Sequence, residues 1–133
     1  MNMEAQRGRF EIARRQFGKA LARLREAVEL DETDLVRDAM IQRFEFTYEL
    51  AWKSMFYWLR SEGEKTLEMA NPVLQAAFRC GLITDPKVWV QIKDSRKETS
   101  HTYKEERAIE IAGFVRAHAL PAFVALEARL AAL

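Results

Sequence analysis

The sequence predicts an all-α fold, an antiparallel up-and-down bundle of four main helices with short extra ones. Apolar residues recur at three- and four-residue steps along most of the chain. No stretch alternates apolar and polar residues as a half-buried strand would, and there is no internal repeat or low-complexity tract. Gly63, Pro72, Gly81 and Pro86 stand where helices would stop or start.

The first helix follows from Phe10, Ala13, Phe17, Leu21, Leu24 and Val28, an apolar stripe of about six turns that should stop near Asp31. Thr33 or Asp34 caps a second helix running to about Ser61, with Gly63 as its exit. On that helix Ile41, Phe44, Tyr48, Ala51, Trp52, Met55, Phe56, Trp58 and Leu59 fill one wide arc, the expected core face. Phe46, Leu50 and Tyr57 form a separate stripe on roughly the opposite side. Such a helix lies between two neighbours or gives its second face to a dimer or partner. Glu45 falls inside the core arc, where a carboxylate needs a partner. A structural salt bridge satisfies that need, and so does a basic residue of the motif described below.

Asn71-Pro72 starts a short third helix, because proline suits the first turn, and Cys80-Gly81 ends it. Asp85-Pro86 repeats the start signal for a fourth helix through Val88, Trp89 and Ile92. Thr102 and Glu105 read as a capping box that opens the last helix right behind His101. That helix runs through Ile109, Ile111, Ala112 and Val115, and Pro121 should kink or break it. The tail from Ala122 to Leu133, with Phe123, Leu126 and Leu130, is amphipathic and packs on the bundle or a partner.

A chain of 133 residues reads as one domain over 1–133, long enough to bury a core. Its 49% hydrophobic and 31% charged content excludes a disordered chain, and its apolar runs of only a few residues argue against a membrane span. The N-terminus has no apolar signal-peptide core, and Cys80 is the single cysteine; both point to the cytoplasm. His101, His118 and Cys80 match no zinc spacing, so no metal or other cofactor is expected. A net charge of +1 draws in no nucleic acid through a whole-chain field, so any phosphate recognition is local.

The densest set of functional side chains is Asp94-Ser-Arg-Lys-Glu-Thr-Ser-His-Thr-Tyr103. In one unbroken helix Arg96 and His101 would point about 140° apart. A break around Thr99 to His101 lets them converge. Arg96 then suits a bidentate grip on phosphate and His101 a general base or acid, with Ser100 placed to hold either. Arginine plus histidine without a metal suits RNA cleavage by its own 2′-hydroxyl, the arginine stabilising the pentacoordinate phosphate. A symmetric homodimer would set two such motifs face to face. By residue types alone the pattern is common, and a helix-junction histidine paired with Glu105 is the better explanation of it.

Phe44-Glu-Phe-Thr-Tyr-Glu-Leu-Ala-Trp-Lys53, Ala77-Phe-Arg-Cys-Gly-Leu-Ile83 and Ser100-His-Thr-Tyr103 together resemble the HEPN superfamily. The likeness is closest to its nucleotidyltransferase substrate-binding branch and covers residues from about 10 to 120. The resemblance implies a helical bundle that dimerises and assembles with a separately encoded minimal nucleotidyltransferase, often as a toxin–antitoxin pair. It also implies roles. Arg96 and His101 correspond to a metal-independent ribonuclease motif, and Tyr103 to a tyrosine that the partner adenylylates. Lys97 departs from the small polar residue, often asparagine, common after the motif arginine. Lysine donates to phosphate but accepts no hydrogen bond, which favours phosphate recognition over turnover.

Three readings follow. The chain is a binding subunit of a nucleotidyltransferase, with RNA or a nucleotide as ligand; or a ribonuclease in its own right; or a structural helical dimer with a decayed site. It is not the transferase itself, since it lacks the Gly-Ser turn and Asp-x-Asp pair of such enzymes and carries no Gly-rich phosphate loop.

Overall fold

The computed structural model describes residues 2–133; Met1, which the single-domain reading takes in, lies outside them. The described residues are all-α. Helix α1 spans Met3–Glu29, α2 Asp34–Ser61, α3 Ala70–Arg79 and α4 Pro86–Glu98. A 3₁₀ turn at Thr99–His101 leads to α5 (Glu105–Phe114), a π turn (Val115–Ala119) and α6 (Leu120–Ala131). The main helices of the bundle are α1, α2, α4 and the continuous α5–α6 run, and α3 is the short extra piece.

The start and stop chemistry is local. Asn2 accepts from the Ala5 amide at 3.1 Å and Thr33 from the Val36 amide at 3.1 Å, each satisfying a first-turn donor. Both α2 and α3 end in Schellman motifs. Gly63 sits at φ 87° and Gly81 at φ 81°, the left-handed region that side chains disfavour. The amides of Glu64 and Leu82 return to the Leu59 and Ala77 carbonyls at 2.9 and 2.8 Å.

Pro121 neither breaks nor ends the last helix. Its ring would meet the Ala117 carbonyl in an ordinary α-turn. The π turn just before it widens the spacing, and the Leu120 amide bonds to the Val115 carbonyl instead. The resulting run, Glu105–Ala131, is 27 residues long and, by length and composition, apolar enough to cross a bilayer. Here its buried side, including Ile111, Ala112, Val115, Phe123, Leu126 and Leu130, faces the bundle core. Ile109, by contrast, points outward.

Phe123 ties the layers together. Its ring lies 6.2 Å from Phe17 on α1, 6.1 Å from Phe44 on α2 and 5.7 Å from Trp89 on α4, at angles typical of edge and tilted pairs. All four rings are essentially buried. The tail therefore packs on the chain's own bundle.

The second stripe of α2 is uncovered. Phe46 is 52% exposed, and Leu50 and Tyr57 are half-buried beside the exposed Ile12 of α1. Two shallow grooves run along this outer face, with Arg9, Lys19, Arg23, Arg43 and Lys53 among their lining residues. Among the described residues, only α1 and α2 line these grooves.

Glu32 clamps the α1–α2 turn to the last helix, accepting from Arg37 Nε at 2.8 Å and from Arg116 Nε at 3.1 Å. The Arg37 hydrogen bond, with Arg116 adding to it and desolvation opposing, holds the Glu32 carboxyl below its ordinary 4.5. A lowered folded-state value means that this stabilisation is complete above about pH 4.5 and is lost as pH falls through the folded value. Replacing Glu32 with Gln should flatten the acid limb of Tm against pH below that point and lower Tm slightly at neutral pH. An acid limb identical to wild type would remove Glu32 from the account.

Candidate functional site at the end of α4

Asp85 caps α4 by accepting from the Val88 amide at 3.2 Å, and Pro86 occupies its first turn. Trp89 and Ile92 are buried and set the rotation of the helix. Arg96 and Thr99 continue that face at i+4 and i+7 from Ile92, so both turn toward α2. On α2, Glu45 and Glu49 are one turn apart and face them.

The result is a closed polar cluster. Arg96 Nη1 lies 3.0 Å from Glu45 Oε2, and its Nε lies 3.6 Å from Glu49 Oε1. Arg96 Nη1 also donates to Thr99 Oγ1 at 3.1 Å. The Thr99 hydroxyl reaches Glu45 Oε2 at 2.8 Å and the Arg96 carbonyl at 2.6 Å. Glu49 in turn accepts from Trp52 Nε1 at 3.0 Å. Glu45 thus sits at the half-exposed edge of the helix arc, its side chain 30% exposed, rather than inside the core. Two carboxylates face one guanidinium, so Arg96 is tightly positioned and its charge is already compensated.

His101 and Tyr103 are outside this cluster. His101 is exposed on the 3₁₀ turn, and its side chain makes no hydrogen bond or ion pair among the described residues, with Arg96, Glu105 or any other group. Its ring lies edge-on to Tyr103 at 6.2 Å. Tyr103 is 77% exposed, with Lys104 Nζ 5.9 Å from its ring centre. Ser100 donates to the Lys97 carbonyl at 3.1 Å; Thr99, not Ser100, holds Arg96. Lys97 is exposed.

The break between α4 and α5 lies where the sequence puts it, but the capping box does not form. Thr102 has helical φ/ψ of −74° and −2° and donates to the Thr99 carbonyl at 3.1 Å. An N-cap needs an extended backbone, which Lys104 has instead, and Lys104 offers no side-chain acceptor. Sequence reading also missed Glu49 and Thr99. Their signals were present: Glu45 and Glu49 at i, i+4, and the 89-92-96-99 spacing that carries α4's buried face to Thr99.

A family model described as nucleotidyltransferase substrate binding protein like matches residues 13–132. The chain is 36% identical over 88 residues to the probable ribonuclease HepT of Haemophilus influenzae. That alignment covers 60% of each protein, so the chain spans less than two thirds of that curated relative. Its fold is similar to a crystal structure of a Thermus thermophilus protein, with a TM-score of 0.73, 34% identity, and 87% of this chain and 96% of that one covered. It is also similar to a Haemophilus influenzae protein described as revealing the fold of a substrate-binding domain of a nucleotidyltransferase. There the TM-score is 0.66 at 25% identity, with 98% and 99% of the two chains covered. With a family match running over nearly its whole length, and the same helical fold, the chain belongs to the nucleotidyltransferase substrate-binding-protein-like family.

Proposed function

We propose that the chain is the partner subunit of a separately encoded minimal nucleotidyltransferase, in a cytoplasmic toxin–antitoxin-type pair, and that Tyr103 is the residue the partner adenylylates. One observation carries this reading: the Tyr103 phenol stands 77% exposed on a turn between two helices, where another enzyme's active site can reach it. In the transfer, the phenol oxygen attacks the α-phosphorus of ATP, its proton leaves to a base or solvent, and pyrophosphate departs. The new phosphodiester brings an anion beside His101, Lys104 and Lys97, whose donors receive it. Arg96, held by Glu45 and Glu49, keeps the end of α4 in place for that encounter. The uncovered Phe46–Leu50–Tyr57 stripe with its basic rim suits assembly with another chain. Mixing the chain with its cognate nucleotidyltransferase, ATP and magnesium should add one adenylyl mass. No mass gain with an active transferase would sink the reading.

The second reading is a metal-independent ribonuclease, favoured by the exposed, unengaged His101 and by the likeness to a probable ribonuclease. Arg96 and His101 are not hydrogen-bonded within one chain, so this reading needs a homodimer in which one copy's histidine meets the other's arginine. RNA incubated with the chain in chelator should then acquire 2′,3′-cyclic phosphate ends. His101→Ala should slow that cleavage by about 10²–10⁴-fold, the usual share of a general acid–base group. Intact RNA with the wild-type chain would eliminate it.

A further inference from the structure

The two grooves on the outer face of α1 and α2, of about 240 and 280 Å³, share Gln16 and Leu50 and so form one trough. It runs along α1 from Arg9 to Arg23, about 21 Å of helix axis. Its floor is apolar, with Ala13 and Ala20 from α1 and Leu50 and the Tyr57 ring from α2. Ile12 and Phe46 stand on its walls, 58% and 52% exposed. The rim is of one sign. Arg9, Lys19, Arg23, Arg43 and Lys53 line the trough and no carboxylate does, in a chain whose 21 basic residues are balanced by 20 acidic ones. Of these five, only Arg43 is engaged: its Nη1 donates to the Arg23 carbonyl at 2.7 Å and lies 3.5 Å from Glu26. The other four make no ion pair among the described residues. An exposed apolar strip framed by polar residues marks an interaction surface.

We infer that this trough receives an acidic amphipathic helix of the nucleotidyltransferase, an inference that rests on the partner-subunit reading. A trough between two antiparallel helices takes a third helix, whose apolar anchors one turn apart seat on Phe46, Leu50 and Tyr57 while its carboxylates meet the rim. The length matches about four turns of such a helix. A second copy of the same face fits poorly. Any two-fold pairing of the trough with itself sets its arginines and lysines against each other with no carboxylate between them. The floor argues against RNA, because bases stack on open aromatic faces, whereas Ile12, Leu50 and the alanines are aliphatic and Tyr57 is half-buried. The position suits a modifying enzyme. Phe46 and Leu50 directly follow Glu45 and Glu49, which hold Arg96, so the trough and the Arg96 cluster lie on adjoining faces of α2 at one level. A partner seated there is anchored beside the helix end that presents Tyr103 and leaves the phenol clear, since no residue of the 99–104 turn lines the trough.

Isothermal titration of the full chain with its purified cognate transferase, at about 0.05 and about 0.5 M NaCl, tests the surface. Lys19→Glu combined with Arg23→Glu should weaken the complex by about tenfold or more and remove most of its salt dependence. Phe46→Ala combined with Leu50→Ala should weaken it to a similar degree and keep the salt dependence. Lys19 and Arg23 are exposed, so their variant should keep the wild-type Tm. Labelling of Tyr103 should fall in both double variants at limiting transferase and recover at saturating transferase, because docking is altered and the acceptor is not. Tyr103→Phe should bind as wild type. The two ways of failing are distinct. Wild-type affinity and labelling in both double variants would overturn the trough and leave Tyr103 as the acceptor. A wild-type chain that neither binds the transferase nor is labelled would remove the partner reading and this surface with it. A dimer of the chain alone that Phe46→Asp turns into monomer, with transferase binding unchanged, would give the face to a second copy. An RNA mobility shift lost in the Lys19–Arg23 variant, again with transferase binding unchanged, would give it to RNA. Either result overturns the inference.

Discussion

Phe123→Ala is expected to destabilise the chain by about 3–5 kcal/mol, the cost of removing a buried aromatic ring whose surroundings cannot fully collapse. The size follows from its position. Phe123 is 0% exposed and is the one ring in contact with Phe17, Phe44 and Trp89, so its loss opens a void where α1, α2, α4 and α6 meet. For a domain of ordinary stability that is a large part of the total. Chemical denaturation should show a lower midpoint with the slope retained. Leu35→Ala is the control: Leu35 is 79% exposed, and its truncation should stay within about 0.5 kcal/mol. A cost below about 1 kcal/mol for Phe123→Ala would mean that α6 is not part of the cooperative core.

Tyr103→Phe should abolish adenylyl transfer by the cognate nucleotidyltransferase, because the variant has no oxygen to attack the α-phosphorus. Stability should be unchanged, within about 0.5 kcal/mol, since the hydroxyl is on a side chain 77% exposed. That pairing of total loss with an intact fold separates an acceptor from a structural residue. Tyr57→Phe, half-buried on the outer face of α2, should be labelled as fully as wild type. Intact-mass spectra of the three proteins after incubation with the transferase, ATP and magnesium decide it. Labelling that persists in Tyr103→Phe would move the acceptor elsewhere.

Fold class and helix boundaries were legible because they depend on local physics. The Thr33 and Asp85 caps, the prolines at first turns and the glycines at φ above 80° act through neighbours a few residues away. The apolar stripes of α1 and α2 act through a fixed helical period. The errors share another cause. The Thr102–Glu105 box has the right residues, but the α4 helix runs on into a 3₁₀ turn and keeps Thr102 helical, bonded back to Thr99. At Pro121 the expected break became a π turn, because the buried residues on both sides hold one continuous helix in the bundle.

By itself, the sequence determined an all-helical chain, a property of period and local stop and start signals, and its short motifs carried the likeness to the family. Only the tertiary structure decided which of the motifs' side chains meet. Arg96 went to Glu45 and Glu49, two helices back in the chain, leaving His101 and Tyr103 together on an open turn. The physical reason is that the direction of α4's polar end is set by how Trp89 and Ile92 bury against the rest of the core. No local signal encodes that rotation or the partner helix it faces.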